Sequence, residues 1–198
     1  MPSAATDHSG PESPQQPARA GGSAPAPADA LARQLMVAPI STPSPRRFRI
    51  DWVLIDALAV GPAPRAERHL QRLHDAGIRA VFSLCSNEEA PAPAGLEERF
   101  CCKRLVLPDH RSADVLELGQ LEDALQQLAA LRQVGPVFVH CVAAMERSPL
   151  VCMAWLVQTQ ALSPTEALDY LMQVHPGTNP LPRQLALLRQ LNHVEVAA

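Results

Sequence analysis

Residues 137–149 read VFVHCVAAMERSP, and the fold turns on how that stretch is parsed. Val137, Phe138 and Val139 follow the turn signal Gly135-Pro136 and predict a short buried strand that ends at His140 and Cys141. From Arg147 the pattern changes to RSPLVCMAWLV, which predicts a buried helix, with Pro149 in the first turn where a missing N–H costs least. Five residues therefore join a strand end to a helix start, with a cysteine on one side and an arginine on the other.

Such a joint has a definite chemistry. A tight loop entering a helix turns several backbone N–H groups into one concavity, and the positive end of the helix favours an anion there. Cys141 at the rim gains thiolate character from the same field. The planar fork of Arg147 can hold two oxyanion oxygens at once, and Ser148 is placed to donate a hydrogen bond to the sulfur. These are the parts needed for phosphoryl transfer through a cysteinyl-phosphate. Each residue taken singly reads as ordinary packing, since cysteine and histidine at a strand end are commonly buried; the ordered set is far rarer.

Working outward, residues 100–108 (FCCKRLVLP) and 78–85 (IRAVFSLC) predict strands, and residues 49–61 predict one or two more. A helix opened by Pro64 carries Leu70 and Leu73 inward and stops at Gly77. Leu118, Leu121, Leu125 and Leu128 mark a helix running to about Val134. Ser163-Pro164-Thr165-Glu166 is a capping box that starts another, ending before His175, and Leu185, Leu188 and Leu191 mark the last. Alternating strands and helices predict an α/β fold with a central, mainly parallel sheet of four to five strands flanked by helices. Residues 1–45 carry nine of the chain's 20 prolines and few large apolar residues. They predict a disordered Pro/Ala-rich tail with a weak turn of helix over 29–37, ahead of one domain over 46–198.

The stretch HCVAAMERS resembles the signature loop HCxxGxxR[ST] of the cysteine-dependent protein tyrosine phosphatases, and most closely its compact dual-specificity branch of the small bacterial type. The resemblance extends over about residues 48–194. It implies Cys141 as nucleophile and Arg147 as phosphate clamp, with the backbone of Val142, Ala143, Ala144, Met145 and Glu146 binding phosphate. It also implies His140 and Ser148 as supports behind the loop, with the Glu146 side chain pointing away. Ala144 stands where the family has glycine; if that position needs a positive φ, alanine imposes strain.

The general acid of such a mechanism comes from a neighbouring loop. Asp109 follows a strand end, opens the polar run DHRSAD, and lies the expected roughly thirty residues before the cysteine. Asp114 fits less well and reads as a helix cap. By the same resemblance Cys85, at the end of its own strand, is a redox candidate for a reversible disulfide with Cys141. Cys152, taken to lie three turns down the helix and to point into the core, is the rival partner.

The expected function is hydrolysis of phosphotyrosine and phosphoserine/threonine monoesters on protein. The alternative is a weak or inactive phosphate-binding module, for which Ala144 is the one mark; a sulfur-transfer enzyme fits the Arg-Ser ending poorly. No residue between Cys141 and Arg147 is basic, which disfavours polyphosphorylated inositides. A net charge of −3 offers no field for nucleic acid or an anionic membrane. Five cysteines with no secretory signal or membrane-spanning run predict free thiols in a reducing cytoplasm. No metal-ligand spacing is present, so no cofactor is expected.

Overall fold

The computed structural model describes residues 48–191. The tail expected over 1–45, with its turn of helix, lies outside the described residues. Five strands form one sheet: β1 (Asp51–Leu54), β2 (Leu58–Pro62), β3 (Ala80–Ser83), β4 (Cys101–Arg104) and β5 (Val137–Cys141), in the order β1-β2-β5-β3-β4. β1 forms an antiparallel edge against β2, and every other pairing is parallel.

β5 occupies the middle of the sheet because it is apolar on both faces. Val137 and Val139 face a large core shared with Leu58, Val60 and Phe82, whereas Phe138 faces a smaller one with Ala59, Val81, Leu70 and Leu73. The smaller core is covered by α1 (Glu67–Asp75). The larger is covered by α3 (Leu118–Arg132), α4 (Arg147–Gln160), α5 (Pro164–Val174) and α6 (Pro182–Leu188). α4 is buried over its first eight residues without a break, from Arg147 to Ala154, as a helix apolar on all sides must be. α5 begins with the expected capping box: Ser163 Oγ accepts from Glu166 N–H at 3.3 Å, and Glu166 Oε2 accepts from Ser163 N–H at 2.8 Å.

Two glycines are fixed by geometry. Gly77 closes α1 at φ 78°. Gly61, opposite His140 in the β2–β5 ladder, has Arg49 packed across it; a Cβ there would lie 2.2 Å from the Arg49 carbonyl oxygen. That close crossing carries Arg49 and Asp51 toward the back of the signature loop.

Several boundaries differ from the sequence expectation. α1 starts at Glu67, three residues after Pro64. The strand expected over 100–108 is regular only to Arg104, although Leu105 N–H still reaches Ser83 O at 2.9 Å, because an edge strand has no second neighbour to keep it straight. Asp114 is not the cap of α3; Glu117 takes that place, its N–H held by Gln120 Oε1 at 3.0 Å. A four-residue helix, α2 (Leu96–Arg99), lies inside the segment read as loop, too short to show a period.

Candidate active site

Three carbonyls of the loop after β5 turn outward and are captured. Val142 O accepts from Ala63 N–H at 3.2 Å, and Met145 O from Asn179 N–H at 2.6 Å. Ala144 O lies 2.6 Å from His175 Nε2. The peptide bonds among the described residues are trans, so the N–H groups of Ala143, Met145 and Glu146 point the opposite way, into the concavity. Ala144 adopts φ 55° with its methyl buried, so the strained conformation foreseen for an alanine here is the one found. Such a conformation costs about 1–2 kcal/mol for a residue with a Cβ. His175 secures it: buried itself, it places Nδ1 2.5 Å from Asp51 Oδ2, and Asp51 is ion-paired to Arg49 Nε at 2.9 Å.

Cys141 ends β5 with 4 % of its surface exposed, and Ser148 Oγ donates to its sulfur across 3.4 Å. His140, beneath, is fully enclosed, and burial pushes its ring down to about 4, so it is neutral at neutral pH. Nδ1–H therefore donates to Cys141 O at 3.1 Å, and Nε2 accepts from Ser83 Oγ–H at 2.7 Å. The histidine thus ties the loop's first carbonyl to β3.

Arg147 opens α4, and its side chain is 4 % exposed. Nη1 and Nη2 reach the two oxygens of Glu89 at 3.0 and 2.8 Å, and Nη1 also donates to Leu107 O at 3.2 Å. Burial pulls the guanidinium's proton affinity down, but the Glu89 hydrogen bonds and the nearby Cys141 and Asp109 outweigh it, so Arg147 is held more firmly charged than usual. The same hydrogen bond is the main reason the Glu89 carboxyl lies below its ordinary value.

Asp109 faces this fork, Oδ2 standing 3.6 Å from Arg147 Nη2. Arg111 grips the same carboxylate, Nε at 2.9 Å and Nη2 at 2.6 Å from Oδ2, and reaches Glu89 Oε1 at 3.0 Å. Burial pushes the Asp109 carboxyl up, but the Arg111 hydrogen bonds and the charges of both arginines more than offset this and leave it below its ordinary value. Next to it, His110 Nδ1 lies 2.9 Å from Glu146 Oε2. Glu146 does not point away from the site as expected: its carboxylate is spent on His110 and on Gln184 Nε2, the latter at 2.7 Å.

A cavity of about 430 Å³ joins these groups; Cys141, Arg147, Asp109, His110, Arg111 and Glu146 all line it, with Val142, Ala143 and Met145. Ala144 lines an adjoining hollow with Arg49 instead. His140 and Ser148 sit behind the wall, and Cys85 is wholly buried near it. Sequence reasoning missed Glu89, His110, Arg111, His175 and Gln184. His110 and Arg111 are chain neighbours of Asp109, which was signal enough to include them. Glu89 and His175 reach the loop from 58 and 31 residues away, with no local pattern to announce them.

The chain matches the family model "Dual specificity phosphatase, catalytic domain" over residues 59–195. It is similar to dual specificity protein phosphatase 1 of Mus musculus, 27% identical over 121 residues that cover 61% of this chain and 31% of that protein. The chain thus spans about a third of the length of the first curated relatives it matches. It is also 27% identical over 162 residues to the phosphatidylglycerophosphatase and protein-tyrosine phosphatase 1 of Rattus norvegicus, covering 76% of this chain and 77% of that one. The crystal structure of Tk-PTP in the active form aligns with a TM-score of 0.62 and 26% identity, over 71% of this chain and 94% of the other. Strand order, signature loop and family match agree: the chain belongs to the dual-specificity phosphatase family, by its catalytic domain.

Proposed function

We propose that this chain hydrolyses phosphate monoesters on protein side chains, phosphotyrosine and phosphoserine/threonine, through a cysteinyl-phosphate on Cys141. The observation that carries the reading is the convergence of inward N–H groups, the Arg147 fork, the Cys141 sulfur and the Asp109 carboxyl on one cavity. In that reading the backbone from Val142 to Glu146 and Arg147 bind the phosphoryl oxygens. The Cys141 thiolate attacks phosphorus in line while Asp109 gives a proton to the departing oxygen. Water then attacks the phosphocysteine, Asp109 takes its proton, and inorganic phosphate leaves with the sulfur restored as thiolate.

Asp109 must be protonated for the first step, yet Arg111 and Arg147 favour its carboxylate in the free site. A phosphate dianion in the loop reverses that balance by opposing charge on Asp109 and competing for Arg147. The proton is therefore best placed when substrate is bound. The phosphate-binding module without turnover is not favoured, because Cys141, Arg147 and Asp109 all line one cavity although Ala144 stands in the loop. Five free cysteines fit work in the cytoplasm, and among the described residues no helix is long and apolar enough to cross a membrane.

The test is turnover of an aryl phosphate by the purified chain. Cys141→Ser abolishes it with the fold intact by circular dichroism; substantial residual activity sinks the mechanism. Substrate class is read by trapping phosphoproteins from a lysate on Cys141→Ser, beside hydrolysis of a lipid phosphate monoester. Turnover of the lipid alone would move the substrate to the class named in the rat relative.

A further inference from the structure

Glu146 sits in the signature loop, but its side chain serves the neighbouring one. Its Oε2 accepts from the His110 backbone N–H at 3.3 Å and lies 2.9 Å from His110 Nδ1. Its Oε1 accepts from Gln184 Nε2 at 2.7 Å, and Gln184 is itself fixed because its own oxygen accepts from Leu181 N–H at 2.8 Å. The carboxylate is therefore pinned from α6 on one side and offers its free oxygen to the acid loop on the other.

That loop needs such an anchor. Residues 105–117 form no regular element, and Asp109 is held mostly by its own segment: Arg111 N–H donates to Oδ1 at 2.9 Å, and Ser112 N–H to Asp109 O at 3.1 Å. These bonds shape the turn; beyond its own segment Arg111 Nη2 reaches Glu89 Oε1 at 3.0 Å from an exposed side chain, and Arg147 Nη1 donates to Leu107 O, two residues before the turn, at 3.2 Å. The ties from the turn to the signature loop and the helix it opens are Glu146 to His110 and, more loosely, Arg147 to Asp109 at 3.6 Å. A carboxylate accepting from both a main-chain N–H and a ring nitrogen of one residue sets position and orientation together.

We propose that Glu146 is a positioning residue, a latch that seats the turn 109–112 against the signature loop and so holds Asp109 over Cys141; its catalytic consequence rests on the reading of Asp109 as proton donor. The His110 side chain is 62% exposed, so the latch is half in water and opens at modest cost, as a loop that admits substrate and releases product requires.

Hydrogen exchange and leaving-group kinetics on the full chain test this. In Glu146→Gln and in His110→Ala the amides of 109–112 exchange about tenfold faster or more, while those of α4 keep their protection. Glutamine is the informative change because one of its two terminal atoms must present a donor to a donor. Turnover of phenyl phosphate, whose leaving group needs a proton, falls about tenfold more than that of 4-nitrophenyl phosphate. Adding Glu146→Gln to Asp109→Asn costs little beyond Asp109→Asn alone. Unchanged exchange over 109–112 overturns the latch, and so does an equal loss on both substrates in variants where Asp109→Asn itself discriminates. If Asp109→Asn fails to discriminate, the proton-donor reading falls by itself, and the exchange rates still decide whether Glu146 seats the turn.

Discussion

Arg147 and Glu89, 58 residues apart, form a two-point ion pair at 3.0 and 2.8 Å with the arginine almost wholly buried. The pair fixes the plane of the guanidinium, and in the proposed reading of Arg147 as a phosphate clamp, orientation is what a bidentate fork contributes. Glu89→Gln replaces one acceptor with a donor aimed at Arg147. The expected outcome is a loss of ~2–3 kcal/mol in urea denaturation, at the low end for a broken buried pair because the Glu89 side chain is 25% exposed. KM for aryl phosphate rises by roughly tenfold as the fork loses its set. Stability and KM both at the wild-type level would show that Glu89 only decorates the arginine.

His140 predicts a pH dependence of stability. Burial holds its ring at about 4 against an ordinary 6.5, so the native state refuses a proton that the unfolded chain accepts. Stability from this group is present above pH 6.5 and is lost as pH falls toward about 4, amounting to roughly 3 kcal/mol. Urea titrations at pH 7, 6, 5 and 4 should show the decline, and His140→Asn should flatten that part of it. A variant that tracks wild type through the window would place the acid sensitivity elsewhere.

Arg111 holds the Asp109 carboxyl down, so on the proposed reading of Asp109 as general acid its removal moves the pH profile in a set direction. A general acid works only when protonated, and activity falls as pH rises through its pKa. In Arg111→Ala the carboxyl rises toward its ordinary value or above, because burial, the opposing influence, remains. The descending limb of kcat against pH therefore shifts to higher pH, most visibly with phenyl phosphate. An unmoved limb would separate Arg111 from the proton transfer.

The parts of this protein that were legible in the sequence are those whose signal is local. Val137–Cys141 and Arg147–Gln160 stand within their predicted bounds because an apolar run, a turn signal and a proline sit within a few residues of one another. The carbonyl captures by Ala63, His175 and Asn179, and the Glu89 clamp, come from separate loops brought together by the sheet order, and no short window holds that order. Asp114 misled because a polar residue before a helical pattern predicts a cap, while the chain stayed extended for three more residues and capped at Glu117. Glu146 misled in another way: the resemblance supplied a direction for its side chain, and Gln184 and His110 supplied a different one.

Ala144 and His175 should prove energetically coupled. Ala144→Gly relieves the positive φ, worth about 1–2 kcal/mol, but exposes the backbone to more unfolded-state entropy and loses a buried methyl, worth about 1 kcal/mol. The net change in stability is therefore within ~1 kcal/mol. The hydrogen bond from His175 matters most where the conformation is strained, so His175→Ala should weaken vanadate inhibition by more in the wild-type background than in the Ala144→Gly background. A rise in kcat for Ala144→Gly alone would show that strain limits the wild type. Equal effects of His175→Ala in both backgrounds would show that the two residues are not coupled.

Cys85 and Cys141 lie just past the end of a paired register: Ser83 pairs with His140, so Cys141 stands one residue and Cys85 two residues beyond that pair, and Leu84 N–H donates to His140 O at 2.8 Å. The proposed chemistry has peroxide oxidise the Cys141 thiolate to sulfenic acid with release of hydroxide; the Cys85 sulfur then attacks it, forming the disulfide and expelling water. Burial pushes the Cys85 thiol up to about 11, so little of it is thiolate at neutral pH and the second step is slow. Crosslinking should then quicken by about tenfold per pH unit below that value, a signature of Cys85 as the attacker. Cys152 is the rival, and it lies in the second turn of α4 rather than three turns away. Its thiol is raised further, by burial first and then by Cys141, so it competes poorly. Mass spectrometry after mild peroxide is expected to find Cys85 joined to Cys141, with activity restored by added thiol. Sulfonic acid on Cys141 beside a free Cys85 would refute the pairing, and a Cys141–Cys152 peptide would transfer the role to the helix.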